Sequence, residues 1–163
     1  LKLKEFQEKY QKGKEFLEKK DPQWLLYFKE AFEINPDCFE LTFLLGKYYF
    51  NLKNFTQAKI YFDKLIDNHM VHPEVSYFLA RIYIEEKKYV KAVAILKEVH
   101  RDFPKFKEAI ATMGYCYYKM GQLHKSLEIY QDLQKQYPQE SHYAKKVHFI
   151  AKKQKKAPLD IFL

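Results

Sequence analysis

The apolar residues of this chain recur at the spacing of α-helices. Two successive stripes illustrate the pattern, the first formed by Leu44, Leu45, Tyr48 and Tyr49, and the second by Ala58, Tyr61, Phe62 and Leu65. Apolar positions three and four residues apart lie on one face of an α-helix. The alternation typical of β-strands is absent from the sequence. The pattern therefore predicts an all-α chain built from amphipathic helices.

The helical pattern is periodic. Small residues stand 34 residues apart at Gly46, Ala80 and Gly114. Larger residues recur at the same interval in four further series: Leu45, Leu79 and Met113; Tyr49, Tyr83 and Tyr117; Phe62, Leu96 and Tyr130; and Leu65, Val99 and Leu133. A fixed period of this length indicates a repeat architecture in which each unit packs on its neighbours. Each unit is predicted to be two antiparallel helices joined by a short turn, and Gly121 marks that turn in the fourth unit.

The units are predicted to begin near Glu5, Phe39, Pro73 and Lys107, without insertion or deletion. A terminal helix is predicted to begin at about Ser141. The first unit fits the repeat least well. Lys12 stands where the later units have a small residue, and Trp24 stands at the position of Ala58, Ala92 and Ser126. We expect Trp24 to pack within this irregular unit.

A 34-residue helix–turn–helix unit with Pro104 and Pro138 near the unit ends resembles the tetratricopeptide repeat (TPR). The resemblance covers roughly residues 5–156. It implies an all-α, right-handed superhelical solenoid of about four antiparallel helix pairs plus a C-terminal capping helix. On this reading residues 1–156 form one TPR-like domain, and residues 157–163 are a C-terminal tail or linker.

The resemblance also implies a function. Proteins of this family bind partners in a concave groove lined by the first helix of each unit, so we expect a protein–protein interaction scaffold or adaptor that holds a peptide or protein surface. It would act within a larger assembly or a longer chain. The groove residues expected here are Phe43, Lys47, Phe50, Tyr77, Arg81, Tyr115, Tyr118 and Lys119. Each of these aromatic residues has an alternative role in core packing.

One subclass of the family binds the C-terminal carboxylate of chaperones through asparagines, lysines and an arginine. Here Gly13 and Lys47 stand at the asparagine positions, although Arg81 matches the arginine. The sequence therefore does not predict binding of chaperone tails.

Residues for enzymatic chemistry do not form a pattern in the sequence. There is no nucleophile–base pair, glycine-rich phosphate loop or metal motif, so we expect no enzyme, no cofactor and no metal site. His69 and His72 lie between Asp67 and Glu74, but surface histidines are far commoner than ligands. The two cysteines lack a basic neighbour and are expected to be unreactive.

The net charge of +8 is unevenly distributed, because the segment from Ser141 onward carries six lysines and one acid, Asp160. A solvated face on a terminal helix accounts for these lysines, and the sequence favours a protein partner over nucleic acid. A basic TPR-like module associated with RNA is the first alternative. Self-association into a structural scaffold through the exposed ends of the array is the second.

The compartment is left open by the sequence. No apolar run is long enough to be a transmembrane segment, and no signal peptide is visible. The chain begins at Leu1 rather than Met, which we interpret as a fragment of a longer protein. A cytoplasmic location is favoured, with a periplasmic or membrane-anchored one if an N-terminal segment was removed.

Overall fold

The computed structural model describes residues 1–67 and 72–156, which form nine α-helices and no strand. In chain order they are α1 (Lys2–Glu18), α2 (Trp24–Ile34), α3 (Phe39–Asn51), α4 (Phe55–Asp67), α5 (Pro73–Glu85), α6 (Tyr89–Asp102), α7 (Lys107–Lys119), α8 (Leu123–Gln136) and α9 (Ser141–Lys156). The predicted all-α class of repeated helices is confirmed.

The contacts divide the chain into two compact units, Leu1–Val75 and Ser76–Leu163. In the first unit α1 packs on α2, α2 contacts α3, and α3 packs on α4. In the second unit α6 packs on α7, α7 on α8, and α8 on α9. Sequential helices are therefore spatial neighbours within each unit, as expected of a repeat whose elements pack locally.

The small residues of the repeat permit close approach of paired helices. A Cβ atom placed on Gly46 would lie 2.6 Å from a ring carbon of Phe62, whose side chain is fully buried. In the second unit a Cβ atom on Gly114 would lie 3.0 Å from ring carbon Cε2 of Tyr130. In the second and fourth repeats a small residue on the first helix therefore faces a large ring on the second helix, which permits close approach of the two helices.

The first repeat also pairs a small residue with a large ring, but the small residue is shifted by one position in the sequence. The prediction that Lys12 stands at the small position of this repeat is therefore wrong. Lys12 is exposed, whereas Gly13 is buried, and a Cβ atom on Gly13 would overlap ring carbons Cδ1 and Cε1 of Phe28. Gly13 precedes Gly46 by 33 residues, but Phe28 precedes Phe62 by 34. One residue is therefore missing between α1 and α2, and the prediction of a repeat without insertion or deletion fails at this turn.

A second pair of rings supports the shifted alignment. Phe16 stacks on Tyr27 with ring centroids 5.2 Å apart and planes 6° apart. Tyr49 stacks on Tyr61 in the next repeat at 5.6 Å and 8°. The contact geometry of the helix pair is the same in both repeats, so the deletion is absorbed by the turn, where changes of chain length are tolerated best.

The turns between paired helices share one backbone conformation. The residue with positive φ is Lys20, Lys53, Lys87 or Gly121, with φ between 55° and 76°. After α5 the N–H of Lys88 donates to the carbonyl of Tyr83 at 2.8 Å, and the N–H of Lys87 donates to that of Ile84 at 2.9 Å. This is the Schellman arrangement, which favours glycine at the left-handed position. Three of the four turns place lysine there.

This turn geometry makes a stability prediction. Replacing Lys87 with glycine is expected to raise the free energy of unfolding by up to about 1 kcal/mol, because it removes the steric penalty of a side chain at positive φ. Replacing Gly121 with alanine is expected to lower it by about 1 kcal/mol. A Cβ atom on Gly121 would meet nothing within 4 Å, so packing does not contribute to that change. Urea unfolding followed by circular dichroism measures both changes. Equal unfolding midpoints for both variants and the parent would contradict a left-handed backbone conformation at Lys87 and Gly121.

Helix α9 is fixed to the second unit by apolar and ionic contacts. Tyr143 and Ile150 are buried in a cluster with Tyr130. At its N-terminal end, the ammonium group of Lys107 pairs with the carboxylate of Glu140. These contacts hold one side of α9 in the core and leave the lysines of its other side exposed.

Candidate functional site

An open cavity of about 480 Å³ lies in the first unit, and we call it the Trp24 pocket. The residues that line it come from α1, α2 and α3: Leu17, Trp24, Phe39, Glu40, Phe43, Leu44, Lys47, Tyr48 and Asn51. Six of these nine side chains are aromatic or aliphatic. The pocket is therefore mainly an apolar surface left partly open to solvent.

The walls of the Trp24 pocket are held by ring contacts. The Trp24 indole packs edge-to-face on Tyr48, with centroids 4.8 Å apart and planes at 90°. On the other side Phe43 stacks on Phe39 at 5.5 Å. The ammonium group of Lys47 lies 5.3 Å from the centroid of the Phe43 ring. Rings fixed in this way present a preformed apolar surface to a ligand, since few side-chain rotations remain to be lost on binding.

Two of the three predicted site residues of this unit line the pocket. Phe43 and Lys47 are partly exposed within it. Phe50 is only 8% exposed and packs against Phe55 with ring centroids 5.7 Å apart, so it offers little surface to a partner. Leu17 and Trp24 were missed as lining residues. The one-residue deletion placed the first repeat out of register in the sequence alignment, and Trp24 was interpreted as a packing residue.

A second open cavity, of about 510 Å³, lies in the second unit, and we call it the Arg81 pocket. Its lining comes from α5, α7, α8 and α9: Tyr77, Arg81, Ile84, Glu85, Ala111, Thr112, Tyr115, Tyr130, His142, Tyr143 and Lys146. Three of the predicted site residues, Tyr77, Arg81 and Tyr115, are brought together here. The two lining residues His142 and Lys146 were missed by the sequence analysis, which interpreted the lysines of α9 as a solvated face.

Aromatic rings lie beside Arg81, a lining cation of this pocket, and beside Lys119, which is on the same helix as the lining residue Tyr115. The guanidinium carbon of Arg81 lies 5.8 Å from the centroid of Tyr77 and 5.9 Å from that of Phe78. Tyr115 is 37% exposed, and the ammonium group of Lys119 lies 5.8 Å from its ring. Contacts of this kind hold a cation beside a ring with a modest gain of about 0.5–1 kcal/mol at exposed sites.

Tyr130 contributes an uncharged side chain to the lining of the Arg81 pocket. The hydroxyl of Tyr130 donates to the carbonyl of Ala111 at 2.8 Å. A tyrosine phenol is already neutral at physiological pH, and burial raises the pKa of Tyr130 further, to about 12. Among the described residues that line the pocket, Glu85 supplies the one carboxylate, against the cations of Arg81 and Lys146.

Tyr118 lies in a different setting. Lys153 donates from its ammonium group to the Tyr118 hydroxyl at 2.9 Å and lies 4.5 Å from the ring centroid. Phe149 packs on the same ring at 5.9 Å. Tyr118 lines a small cavity of about 50 Å³ that shares Tyr115 with the Arg81 pocket. The predicted site residue Tyr118 is therefore partly covered by α9.

The thiols are poor nucleophiles in this fold. Burial raises the pKa of Cys116 to about 11, and burial also raises the pKa of Cys38. Within residues 1–67 and 72–156, no three His, Cys, Asp or Glu side chains are grouped closely enough to hold a metal ion. His69, one of the histidines considered in the sequence, lies outside the described residues.

The two cysteines differ in burial, and this difference predicts how fast each thiol reacts. In the folded chain at neutral pH, a small thiol reagent is expected to modify the partly exposed Cys38 slowly and to leave the fully buried Cys116 unmodified. After unfolding in urea, both cysteines should react at similar rates. Mass spectrometry of peptides after timed alkylation measures this. Rapid labelling of Cys116 in the native chain would contradict its placement in the core.

Among the described helices, none combines the length and the apolar character needed to cross a lipid bilayer.

The repeated helix pairs define a helical-repeat protein. Two family models described as tetratricopeptide repeat match the chain, one at residues 83–147 and one at residues 40–68, together more than half of its length. The chain belongs to the tetratricopeptide repeat family. Members of this family generally act as non-catalytic scaffolds for protein interactions, which is the general role that the fold and the family support here.

Known proteins that resemble the chain share this fold. The tetratricopeptide repeat protein 30 homolog of Caenorhabditis briggsae is 33% identical over 78 residues, which are 47% of this chain and 12% of that protein. The structure of MamA from Desulfovibrio magneticus RS-1 has a TM-score of 0.81 at 23% identity, with 93% of this chain and 86% of that chain covered. YrrB, described as a TPR protein with an unusual peptide-binding site, has a TM-score of 0.74 at 15% identity, with 92% and 78% covered. At these identities the two structural likenesses establish the fold alone.

Proposed function

We propose that this chain binds a partner peptide or protein surface at the first helices of its repeats, as part of a larger assembly or a longer polypeptide. The observation that carries the proposal is the Trp24 pocket, an apolar cavity of about 480 Å³ whose ring walls are open to solvent. Concave, mainly apolar surfaces with a few polar groups are the usual binding sites of proteins. Phe43 and Lys47 keep the role expected of them as residues that contact the partner.

The chemistry of the Trp24 pocket indicates what it would hold. Burial of one large apolar side chain contributes about 1.5–3 kcal/mol. Aromatic residues in such a pocket are typical anchors of an interface, because they bury a large area with few rotatable bonds. The charges of Glu40 and Lys47 at the same cavity balance each other and provide polar contacts at its edge. A peptide helix or extended segment with a large apolar residue fits this surface.

The Arg81 pocket provides a second contact surface. It combines the predicted residues Tyr77, Arg81 and Tyr115 on the first helices α5 and α7. YrrB is a protein of the same fold with a peptide-binding site, and it supports peptide binding as the kind of activity to test here. Tyr118 and Lys119 stay in the proposal as residues at the edge of this surface.

Affinity capture from a native, nuclease-treated lysate of the source cells tests the proposal. The wild-type chain is compared with a Trp24-pocket variant carrying Phe43→Ala and Lys47→Glu, and with an Arg81-pocket variant carrying Tyr77→Ala and Arg81→Glu. We expect a protein that the wild type captures and that at least one folded variant loses by about tenfold or more, as expected when an anchor of an interface is removed. Circular dichroism confirms that each variant is folded.

The control variant changes exposed residues of the second helices, Ile60→Ala with Lys97→Glu. Equal capture by all four chains would contradict a site on the first helices. Capture that requires omission of the nuclease would favour the RNA-associated module instead. Capture of the chain's own copies alone, with a doubled mass in light scattering, would favour the self-assembling scaffold.

A further inference from the structure

We propose that the exposed side of the terminal helix α9 binds single-stranded RNA, with phosphates on its lysines and a base stacked on the ring of Phe149. The site lies within the second unit, on α7 and α9. It is separate from the Trp24 pocket, so either site can fail without the other. In the sequence, the lysines of α9 are explained as a solvated face. A solvated face does not require the exposed aromatic ring that the fold places among them.

That ring stands at the centre of the basic side of α9. Phe149 is 55% exposed. Every residue of α9 that lies three, four or seven positions from Phe149 is an exposed histidine or lysine: His142, Lys145, Lys146, Lys152, Lys153 and Lys156. Residues at these spacings share one side of an α-helix. We call the surface formed by these seven residues the Phe149 face, and it extends along about 21 Å of helix.

The Phe149 face carries positive charge with little acid beside it. Five lysines lie on it, and α9 contains no aspartate or glutamate. Glu140 precedes the helix, where its carboxylate pairs with Lys107 and lies 3.7 Å from Nε2 of His142. Lysine contacts phosphate as a point charge, without the fixed geometry of arginine. Several lysines along one side of a helix therefore suit a chain of recurring phosphates.

The aromatic rings among the lysines provide a surface for stacking. Phe149 packs on Tyr118 of α7 with ring centroids 5.9 Å apart, and Tyr115 shares a small cavity with both rings. Lys153 holds Tyr118 by donating to its hydroxyl at 2.9 Å. An ammonium group has three donors, so this contact leaves others for phosphate. Exposed rings that stack on bases, combined with cations that follow the backbone, are how proteins bind single strands.

Other polyanions use this surface less fully. A helix that lies on a membrane inserts its apolar side into the lipid, but Tyr143 and Ile150 of α9 are buried in the core, which leaves Phe149 as its exposed large apolar side chain. An acidic peptide uses the charge of the lysines but has no base to stack on the ring. In a duplex the base faces are already stacked, whereas unstacked bases are common in the loops and ends of RNA.

The role of the ring is tested by fluorescence anisotropy of a labelled oligouridine of about ten nucleotides, titrated with the whole chain. Phe149→Ala and Phe149→Leu should each weaken binding by about tenfold or more, because neither side chain stacks on a base. Phe149→Tyr should stay within about threefold of the wild type. Phe149→Leu keeps an apolar side chain, so it separates stacking from simple apolar contact. Circular dichroism confirms that each variant is folded.

Two results of this titration would overturn the proposal directly. Equal affinities of the wild type and the folded Phe149→Leu variant would reject stacking on the ring. Binding of an RNA duplex of the same length as tightly as the single strand, or no binding of the single strand at low salt, would reject single-stranded RNA as the ligand.

The role of the lysines is tested by Lys146→Gln and Lys155→Gln, which change the net charge equally. Both residues are exposed on α9, but Lys146 lies on the Phe149 face, whereas Lys155 lies six residues from Phe149 and on another side of the helix. For a single strand, the logarithm of the affinity falls with that of the salt concentration by about 0.7 per phosphate contacted. Lys146→Gln should reduce this slope by about 0.7, and Lys155→Gln should leave it unchanged. Equal reductions would replace the site by the general field of the protein.

Competition distinguishes RNA from other anions. Unlabelled RNA should displace the labelled strand at a lower concentration of negative charge than vesicles of phosphatidylserine and phosphatidylcholine or a polyglutamate peptide, and the reverse order would overturn the proposal. Nucleic acid crosslinked to the chain in native lysate should be degraded by ribonuclease, and degradation by deoxyribonuclease alone would reject RNA. Phe43→Ala in the first unit should leave RNA affinity within about twofold, and a larger loss would contradict a site confined to α7 and α9.

Discussion

Replacing Phe62 with alanine is expected to lower the free energy of unfolding of the first unit by about 3–5 kcal/mol. The Phe62 ring is fully buried, it covers the small position at Gly46, and it also contacts the ring of Phe43 at a centroid distance of 6.0 Å. Its removal leaves a cavity at the centre of the helix pair that rigid neighbours cannot fill. Phe43 lines the Trp24 pocket, so the same variant should also weaken partner binding.

Urea unfolding followed by tryptophan emission measures this change, because Trp24 is the one tryptophan of the chain and belongs to the first unit. Ile60→Ala on the same helix is the control, since Ile60 is 54% exposed and its loss should change stability by about 0.5 kcal/mol or less. A midpoint for Phe62→Ala that equals that of Ile60→Ala would show that the ring is not central to the core.

The second large change in stability is expected for the substitution of Gly13 by alanine. On helix propensity alone, Gly13→Ala in the middle of α1 would stabilise the chain by about 1 kcal/mol. In this fold the added methyl group would overlap the buried ring of Phe28, so we expect a net loss of about 1–3 kcal/mol instead. The sign of the change therefore distinguishes the packing of α1 on α2 from a simple solvent-exposed helix.

Lys12→Ala is the matched control for Gly13→Ala. Lys12 is exposed and is the residue that an uninterrupted 34-residue alignment places at the small position. If that alignment were right, Lys12→Ala would change the core and Gly13→Ala would not. We expect a change of about 0.5 kcal/mol or less for Lys12→Ala by urea unfolding. Stabilisation by Gly13→Ala would contradict the one-residue deletion.

The period of the repeat could be predicted from the sequence because packing restricts the residue types at a few positions. A small residue such as Gly46 or Gly114 and the large residue that covers it recur at fixed spacing, and each pair is visible as a pattern. The first unit could not be aligned correctly, because its missing residue lies in a turn that imposes almost no sequence requirement. The contacts of Gly13 with Phe28 and of Phe16 with Tyr27 reveal the shift, and each contact joins two different helices.

The candidate surfaces were predicted only in part for a similar reason. Helical spacing indicates which residues share a face, and it found Phe43, Lys47 and Arg81 on the first helices. It does not indicate how deep a residue lies, so the buried Phe50 was included with them. Nor does it indicate which neighbouring element closes a pocket, so the contribution of Lys146 from α9 was missed. Such contacts depend on tertiary packing rather than on local pattern.

The most direct measurement of the central claim is the emission of Trp24 during titration with the binding segment of the captured partner. Trp24 lines the apolar pocket, and no other residue of the chain contributes tryptophan emission. If the pocket binds the partner, the emission should shift to shorter wavelength as water is displaced from the indole, and the shift should saturate together with binding measured by anisotropy. Phe43→Ala should weaken both signals equally. Saturable binding that leaves the emission of Trp24 unchanged would contradict a partner-binding role for this pocket.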